Sequence, residues 1–275
     1  MKVLIYSNKA KDFAGACETE LIRCLNKYGV QNQVLTDNMV CNNVEADAIF
    51  AIGGDGTILF LAEFASRNNI PIIGINAGNL GFLCEFEKSE LDNAVYELVS
   101  GNLNRDVRTM LSVSYNQTTY YALNEVYVQR IYNKIEGNTI AEIEIEIDDS
   151  YISHYKGDGA VISSPTGATA YSFSLGGPIL SPYSNVFAIT PIAAHSLNQR
   201  PIVYSDNSKC TIDVKGKAQV GVFVDGRLVE YLKANDYLQV KKANNRVVFL
   251  RKKEYNFFKK LSKKLKKTLG EDEND

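Results

Sequence analysis

One acidic residue stands among glycines where a phosphate-handling loop would be built. Residues 53–57 read Gly53-Gly54-Asp55-Gly56-Thr57, directly after the apolar run Ala48-Ile49-Phe50-Ala51-Ile52. The run is short, apolar and ended by glycine, which predicts a buried strand. Leu59, Leu61, Ala62, Phe64 and Ala65 then recur with helical spacing, and Thr57 lies near the helix start. Glycines at a strand-to-helix turn let backbone N–H groups approach a phosphate. A carboxylate inside such a loop repels phosphate unless it acts as a base, or reaches the phosphate through Mg²⁺ or its water. Asp55 is therefore a candidate catalytic base, or a ligand reached through Mg²⁺ or its water, with Gly53, Gly54 and Thr57 as the phosphate loop. The same residues also suit a plain tight turn with an Asx-type hydrogen bond. The loop lacks the Gly-Lys-Ser/Thr ending of a Walker A motif, which argues against a P-loop kinase.

Three later segments are too particular for an ordinary β domain. Ala122-Leu123-Asn124-Glu125 sets an amide beside a carboxylate in what reads as an apolar strand. Strand alternation turns one of the two inward, which is costly without a hydrogen-bond partner. Paired hydroxyls, such as those of a ribose, would satisfy both. Lys156-Gly157-Asp158-Gly159 flanks a second acid with glycines. Ser163-Ser164-Pro165-Thr166-Gly167-Ala168-Thr169-Ala170-Tyr171, leading to Ser174, is dense in hydroxyls and small side chains. Such residues suit close contact with a base, a sugar or phosphate oxygens, although a helix-capping turn uses them too. His154 lies near Lys156 and Asp158, with a direct role and a structural one equally open. His195 reads more simply as a hydrogen-bonded structural residue.

The elements that must position these groups fall into two textures. Strand-like and helical segments alternate over the first hundred residues: strands at Lys2–Ser7, Gln31–Asp37 and 71–76, helices at Asp12–Tyr28 and from Ser89 to Gly101. Repeated strand–helix units imply a parallel sheet with a site at the carboxyl ends of its strands. From about residue 104 the pattern turns to β. Ala141–Ile147 alternates strictly, Asp225-Gly226 reads as a hairpin turn, and Asn244-Asn245 separates two further strands. One short helix is expected near Thr169–Ser174. The expected division is 1–103 (α/β), 104–251 (mainly β) and 252–275 (a basic amphipathic helix and acidic tail). Residues 251–267 carry nine Lys or Arg, with Phe258, Leu261, Leu265 and Leu269 on one face. A helix docking that stripe on the protein is the simpler reading, a membrane-surface or anion-binding helix the other.

At 275 residues and a net charge of −2 the composition is that of a soluble protein, with no nucleic-acid partner indicated. No apolar run is long enough to cross a membrane, and the amino end enters a strand with no signal-peptide pattern. Five scattered cysteines and two histidines, with no C-x-x-C pair, point to a reduced, cytoplasmic setting and no metal ligated directly by protein.

Taken together, these motifs resemble the NAD kinase family. The likeness rests on Gly53–Thr57, Gly78-Asn79-Leu80-Gly81-Phe82, Asn124-Glu125, Gly157-Asp158-Gly159 and Pro165–Tyr171. Ser174-Leu175-Gly176-Gly177-Pro178 and Pro191 through Arg200-Pro201-Ile202-Val203 complete it. The resemblance implies a Rossmann-like α/β domain with a parallel sheet, a mainly β second domain and a C-terminal helix docking back. It implies transfer of the terminal phosphoryl group of ATP or polyphosphate to the 2′-hydroxyl of the adenosine ribose of NAD⁺. By this likeness Asp55 accepts the proton, Gly56 sits beside the ribose, and Asn124 and Glu125 hold its hydroxyls. Thr166, Thr169, Ala170, Tyr171 and Ser174 surround the adenosine half, with Phe82 as an apolar wall. Asp158 and Ala193 meet the nicotinamide end, Lys156 offsets phosphate charge, and Mg²⁺ or another divalent cation comes with ATP. A homo-oligomer, dimer or tetramer, is also implied. Phe60 departs from the pattern, standing where a number of relatives carry a basic residue. Two rivals share parts of the pattern: a lipid kinase of the diacylglycerol or sphingosine type, and a non-catalytic dinucleotide sensor.

Overall fold

The computed structural model describes residues 1–40, 43–78, 81–132, 139–195 and 199–268. Cys41, Asn79, Leu80, Ser196, Leu197, Leu269 and the acidic end lie outside them. The chain forms two compact units, Met1–Val107 together with the chain from Val247, and Arg108–Arg246. The boundaries drawn from sequence fall at the ends of two long strands that each run on from one unit into the other.

In the first unit, strands β1 (Lys2–Ser7), β2 (Gln31–Val34), β3 (Ala48–Gly53) and β4 (Ile72–Asn76) lie parallel in the order β4–β3–β1–β2. β5 (Phe86–Glu87) pairs with β4. The last strand of the chain, β17 (Tyr237–Arg251), joins β4 on the same side, Phe249 opposite Ile72. Ala48 to Ile52 are fully buried, as a central parallel strand covered on both faces must be. Helices α1 (Ala16–Lys27) and α3 (Leu91–Val99) cover one core, where Leu21, Leu25, Ala94 and Val95 meet Val3, Phe50 and Ile73. α2 (Asp55–Arg67) follows β3 directly.

Three boundaries differ from the sequence reading. α1 starts at Ala16, not Asp12, because Asp12 caps it from outside. The Asp12 carboxylate accepts the N–H groups of Cys17 at 2.9 Å and Glu18 at 3.0 Å, while Gly15 turns left-handed at φ 67°. α3 starts at Leu91 after a single turn whose reciprocal cap pairs Glu87 with Glu90. β2 ends at Val34, and a turn at Asp37–Met39 replaces the tail of that strand.

The second unit is built on two antiparallel sheets. β6 (Asn104–Tyr115) enters it and pairs with β7 (Thr118–Ala122). One sheet runs β10–β9–β14–β17 and the other β13–β12–β11–β8–β15–β16. Their strands are β8 (Glu125–Arg130), β9 (Ala141–Ile147), β10 (Ser150–Gly157), β11 (Gly159–Ser163), β12 (Val186–Ile192), β13 (Ile202–Ser205), β14 (Cys210–Val214), β15 (Val220–Val224) and β16 (Arg227–Leu232). The inward faces share one core that includes Val126, Val128, Ile143, Ile145, Ile162, Ile189 and Val222. Alternation over 141–147 and the Asp225-Gly226 turn, with φ of 45° and 79°, are as the sequence indicates. Two readings need correction. Asn244 and Asn245 separate nothing, since they lie within the continuous β17. Leu123 and Asn124 are not strand residues: they bend between β7 and β8, and the bend, not alternation, buries Asn124 and Glu125 together. The short helix α4 covers Tyr171–Ser174 after a 3₁₀ turn at Gly167–Thr169.

Candidate active site

On the first unit the chemistry gathers around Asp55. β3 ends at Gly53, Gly54 is extended, and Asp55 opens α2, where the helix N-terminus favours a carboxylate. Both carboxylate oxygens are occupied: Oδ2 accepts the Phe82 N–H at 2.8 Å and Oδ1 the Leu83 N–H at 2.9 Å. Gly81 makes this approach possible, since a Cβ there would stand 2.1 Å from Asp55 Oδ1. Gly56 is exposed at the loop surface, whereas Thr57 is buried and its hydroxyl accepts from Asn8 Nδ2 at 3.1 Å.

Immediately after the two amides that hold Asp55, two carbonyls receive cations. Leu83 O accepts from Arg251 Nη1 at 2.6 Å, and Cys84 O accepts from Lys260 Nζ of helix α5 (Phe257–Thr268). The Phe82 ring lies 6.1 Å from that of Phe257, with Lys264 Nζ 4.1 Å above its face. Burial pushes Lys260 down to about 8, neighbouring Arg251 adding to the effect and Glu85 and Asp55 opposing it. Burial likewise raises the Cys84 thiol to about 12. α5 therefore docks, as the simpler reading has it, but by a different face. Phe257 is buried while Phe258 and Leu265 of the expected stripe are 61% and 36% exposed. Leu261 of that stripe is half-buried, as are Lys260 and Lys264, whose stems carry enough methylene surface to pack.

On the second unit, Asp225 organises the 123–125 bend. Its carboxylate accepts the N–H groups of Leu123 and Asn124 at 2.8 Å each and of Glu125 at 3.1 Å. From the other side Ser164 Oγ donates to Leu123 O at 2.5 Å. Gly167 packs so closely that a Cβ would lie 2.0 Å from Asn124 O. Burial, then the charge of Asp225, raise Glu125 to about 8 against the pull of the Tyr171 N–H. Glu125 Oε2 is buried with no hydrogen-bond partner among the described residues. A ligand hydroxyl or amide would complete it. Tyr171 stands edge-on to Tyr127 at 5.0 Å, and Tyr127 stacks on Phe223 at 4.6 Å, giving an aromatic wall beside the carboxyl.

The hydroxyl-rich segment joins this cluster. Thr166 is buried and accepts from Arg108 at 3.4 Å, and Thr169 Oγ1 donates to Thr166 O at 3.3 Å. Ala170 precedes α4, and the exposed Ser174 ends it. Asp158 lies farther along, paired with Arg130 Nε at 2.7 Å and receiving Tyr132 OH at 3.1 Å. Its N–H donates to Ile192 O at 2.9 Å, which brings it beside Ala193, an exposed non-glycine held at φ 44°. Backbone strain of this kind gathers at functional positions. Tyr171 links the two groups, since the charges of Asp158 and Glu125 both add to the effect of burial in raising it. Lys156 pairs with Glu142 at 3.1 Å on the β9–β10 ladder, and His154 Nε2 approaches the same carboxylate at 3.4 Å. His195 is exposed, its N–H donating to Lys156 O at 2.9 Å.

Sequence reasoning takes Asp225 only as a turn residue and assigns no part to Arg130, Arg251 or Lys260. An acid ending the buried Val220–Val224 strand is a signal for Asp225. The other three become visible only through partners far away in the chain. Among the described residues no three His, Cys, Asp or Glu side chains gather as a metal site.

The profile of the ATP-NAD kinase N-terminal domain matches residues 7–103, and that of the ATP-NAD kinase C-terminal domain matches residues 123–252. An NAD kinase of Sulfurimonas denitrificans is 38% identical over 82% of this chain and 79% of its own. One from Fusobacterium nucleatum is 34% identical over 97% of both. An Archaeoglobus fulgidus NAD kinase solved with ATP superposes with a TM-score of 0.80 at 23% identity, covering 97% of this chain and 99% of its own. Yeast NADH kinase with NADH gives 0.84 at 23% identity, covering 100% and 89%. The lipid-kinase and sensor alternatives find no support in these matches. With both family profiles matched in order, and relatives above 30% identity along nearly its full length, this chain belongs to the ATP-NAD kinase family.

Proposed function

We propose that this protein transfers the terminal phosphoryl group of ATP, or of polyphosphate, to the 2′-hydroxyl of the adenosine ribose of NAD⁺, forming NADP⁺. Family membership carries the reaction class, and the geometry at Asp55 carries the mechanism. The ribose oxygen forms a bond to the terminal phosphorus as the bond to the bridging oxygen breaks, and ADP or the shortened polyphosphate departs. Asp55 takes the hydroxyl proton. A carboxylate pinned by two amides at a helix start is fixed in place and keeps lone pairs for that proton. Such transfers depend mostly on alignment and charge neutralisation. Asn124 and Glu125 would hold the ribose hydroxyls, the orphaned Glu125 Oε2 supporting that assignment. Thr166, Thr169, Ala170, Tyr171 and Ser174 would line the adenosine and Asp158 and Ala193 the nicotinamide end. A divalent cation, Mg²⁺ by preference, belongs to the substrate and neutralises the donor's phosphates. Four buried free thiols, Cys17, Cys24, Cys84 and Cys210, support a cytoplasmic setting, and the family likeness supports a homo-oligomer.

The test is direct. Purified protein with NAD⁺, Mg²⁺ and either ATP or polyphosphate is assayed for NADP⁺ with an NADP-specific dehydrogenase. NADP⁺ formation with either donor supports the reading, and folded protein inactive with both overturns it.

A further inference from the structure

We infer that Arg251 and Lys260 are positioning residues for Asp55, acting through the backbone of residues 81–84. As a statement about catalysis this rests on the phosphotransfer reading above.

The geometry is sequential. The N–H groups of Phe82 and Leu83 hold the two oxygens of Asp55, and the next two carbonyls, Leu83 O and Cys84 O, are held by Arg251 and Lys260. One short stretch of chain thus binds the base on one side and two cations on the other. Phe82 is also gripped through its ring, between Phe257 and the Lys264 ammonium. Arg251 is itself fixed, 1% exposed, with Asp106 at 3.1 Å and Glu85 at 3.3 Å.

Packing alone does not explain this choice of side chains. Placing a half-buried ammonium beside a buried guanidinium is costly, and apolar residues of similar volume hold a helix to a sheet at least as well. What a buried cation adds is a short, directional, charge-assisted bond to a chosen carbonyl. Lys260, still largely protonated at neutral pH despite burial, supplies such a bond to Cys84 O. The loop that receives these bonds has a glycine at Gly81 and so little stiffness of its own. Its rigidity comes from the carboxyl end of β17 and from α5.

The experiment uses the full chain as Lys260→Met, Lys260→Arg and, as a charge control on the exposed face of α5, Lys259→Met. Amide hydrogen exchange is read at Phe82 and Leu83 without substrate, and kcat and KM for NAD⁺ are read alongside. Lys260→Met is expected to speed exchange at those two amides about tenfold or more, leaving Ile49 and Ile73 in the sheet unchanged. It should lower kcat by about 10- to 100-fold, the scale of a small misplacement of a catalytic group. KM for NAD⁺ should stay within about twofold, and Lys260→Arg should restore most of both. Lys259→Met should match wild type. Unchanged exchange and kcat in Lys260→Met would overturn the inference, as would faster exchange spread evenly through the unit. A wild-type protein that makes no NADP⁺ would sink the phosphotransfer reading and with it the catalytic role, whereas the exchange data would still decide whether Lys260 pins the Asp55-binding backbone.

Discussion

Asp225 holds Glu125 by its backbone and opposes it by its charge. The Asp225 carboxylate accepts the Glu125 N–H at 3.1 Å, while its negative charge adds to burial in raising the Glu125 carboxyl to about 8. The first interaction fixes where Glu125 sits; the second sets the form in which it waits for a ligand. At neutral pH that form is the neutral acid, a hydrogen-bond donor as well as an acceptor.

The raised Glu125 fixes the sign of a stability change. The folded state binds this proton more tightly than the unfolded one, so its contribution is complete below the ordinary value of 4.5 and is lost as pH rises through about 8. Glu125→Gln, which cannot ionise, should be as stable as wild type near pH 5 and more stable by roughly 2–4 kcal/mol at pH 8 and above. Urea midpoints of both proteins across that range measure it; parallel curves would refute it.

Asp225→Ala removes the acceptor of three backbone N–H groups. The loss should be about 3 kcal/mol or more, with a raised KM for NAD⁺ as the 123–125 bend loosens. It should also shift the Glu125 titration to lower pH, since a repelling charge is gone. Denaturant unfolding and NMR titration of a labelled Glu125 carboxyl test both statements.

Asp55→Asn should reduce kcat by about 10²- to 10⁴-fold, with KM for NAD⁺ changed only a few-fold. Part of the loss comes from geometry. An asparagine offers one acceptor oxygen to the Phe82 and Leu83 N–H groups, where the carboxylate offers two. Steady-state kinetics decide it, and near-normal turnover would remove Asp55 from the mechanism.

Gly81→Ala places a methyl group where the Asp55 carboxylate now lies. Either the carboxylate or the 81–83 backbone has to move. A drop in kcat of about 10- to 100-fold, with thermal stability lowered by less than about 2 kcal/mol, is the expected pattern. An active, folded Gly81→Ala enzyme would show that the close approach of this loop to Asp55 is dispensable.

Much of the fold is legible in the sequence because its signals are local. A run such as Ala48–Ile52 ended by glycine, or the alternation of Ala141–Ile147, reports its own burial. The candidate site is legible to the extent that its residues lie in short contiguous motifs, as Asp55 and Thr166–Tyr171 do. What escapes is long-range. Asp225 binds a bend about a hundred residues earlier, and Arg251 and Lys260 reach carbonyls more distant still. The docked face of α5 escapes for another reason. Helical periodicity ranks Phe258 and Leu265 as apolar, but the contact with Phe82 uses Phe257 and lysine stems instead. Asn124 and Glu125 are both buried because of a bend, and polar residues at a bend carry no periodic mark.

The unit that bears Asp55 is discontinuous in the chain: its first 107 residues supply only the two-residue β5 beside β4, at Ile75 and Asn76, and Ile72 gains its neighbour Phe249 only when Val247 and the residues after it arrive. During synthesis, then, the ribosome delivers the Asp55 loop early and its scaffold late. Until the final strand and helix emerge, the growing chain leaves β4 unpaired at Ile72 and the carbonyls of Leu83 and Cys84 without the cations that later hold them, a nascent unit that carries Asp55 before the residues that brace the backbone around it.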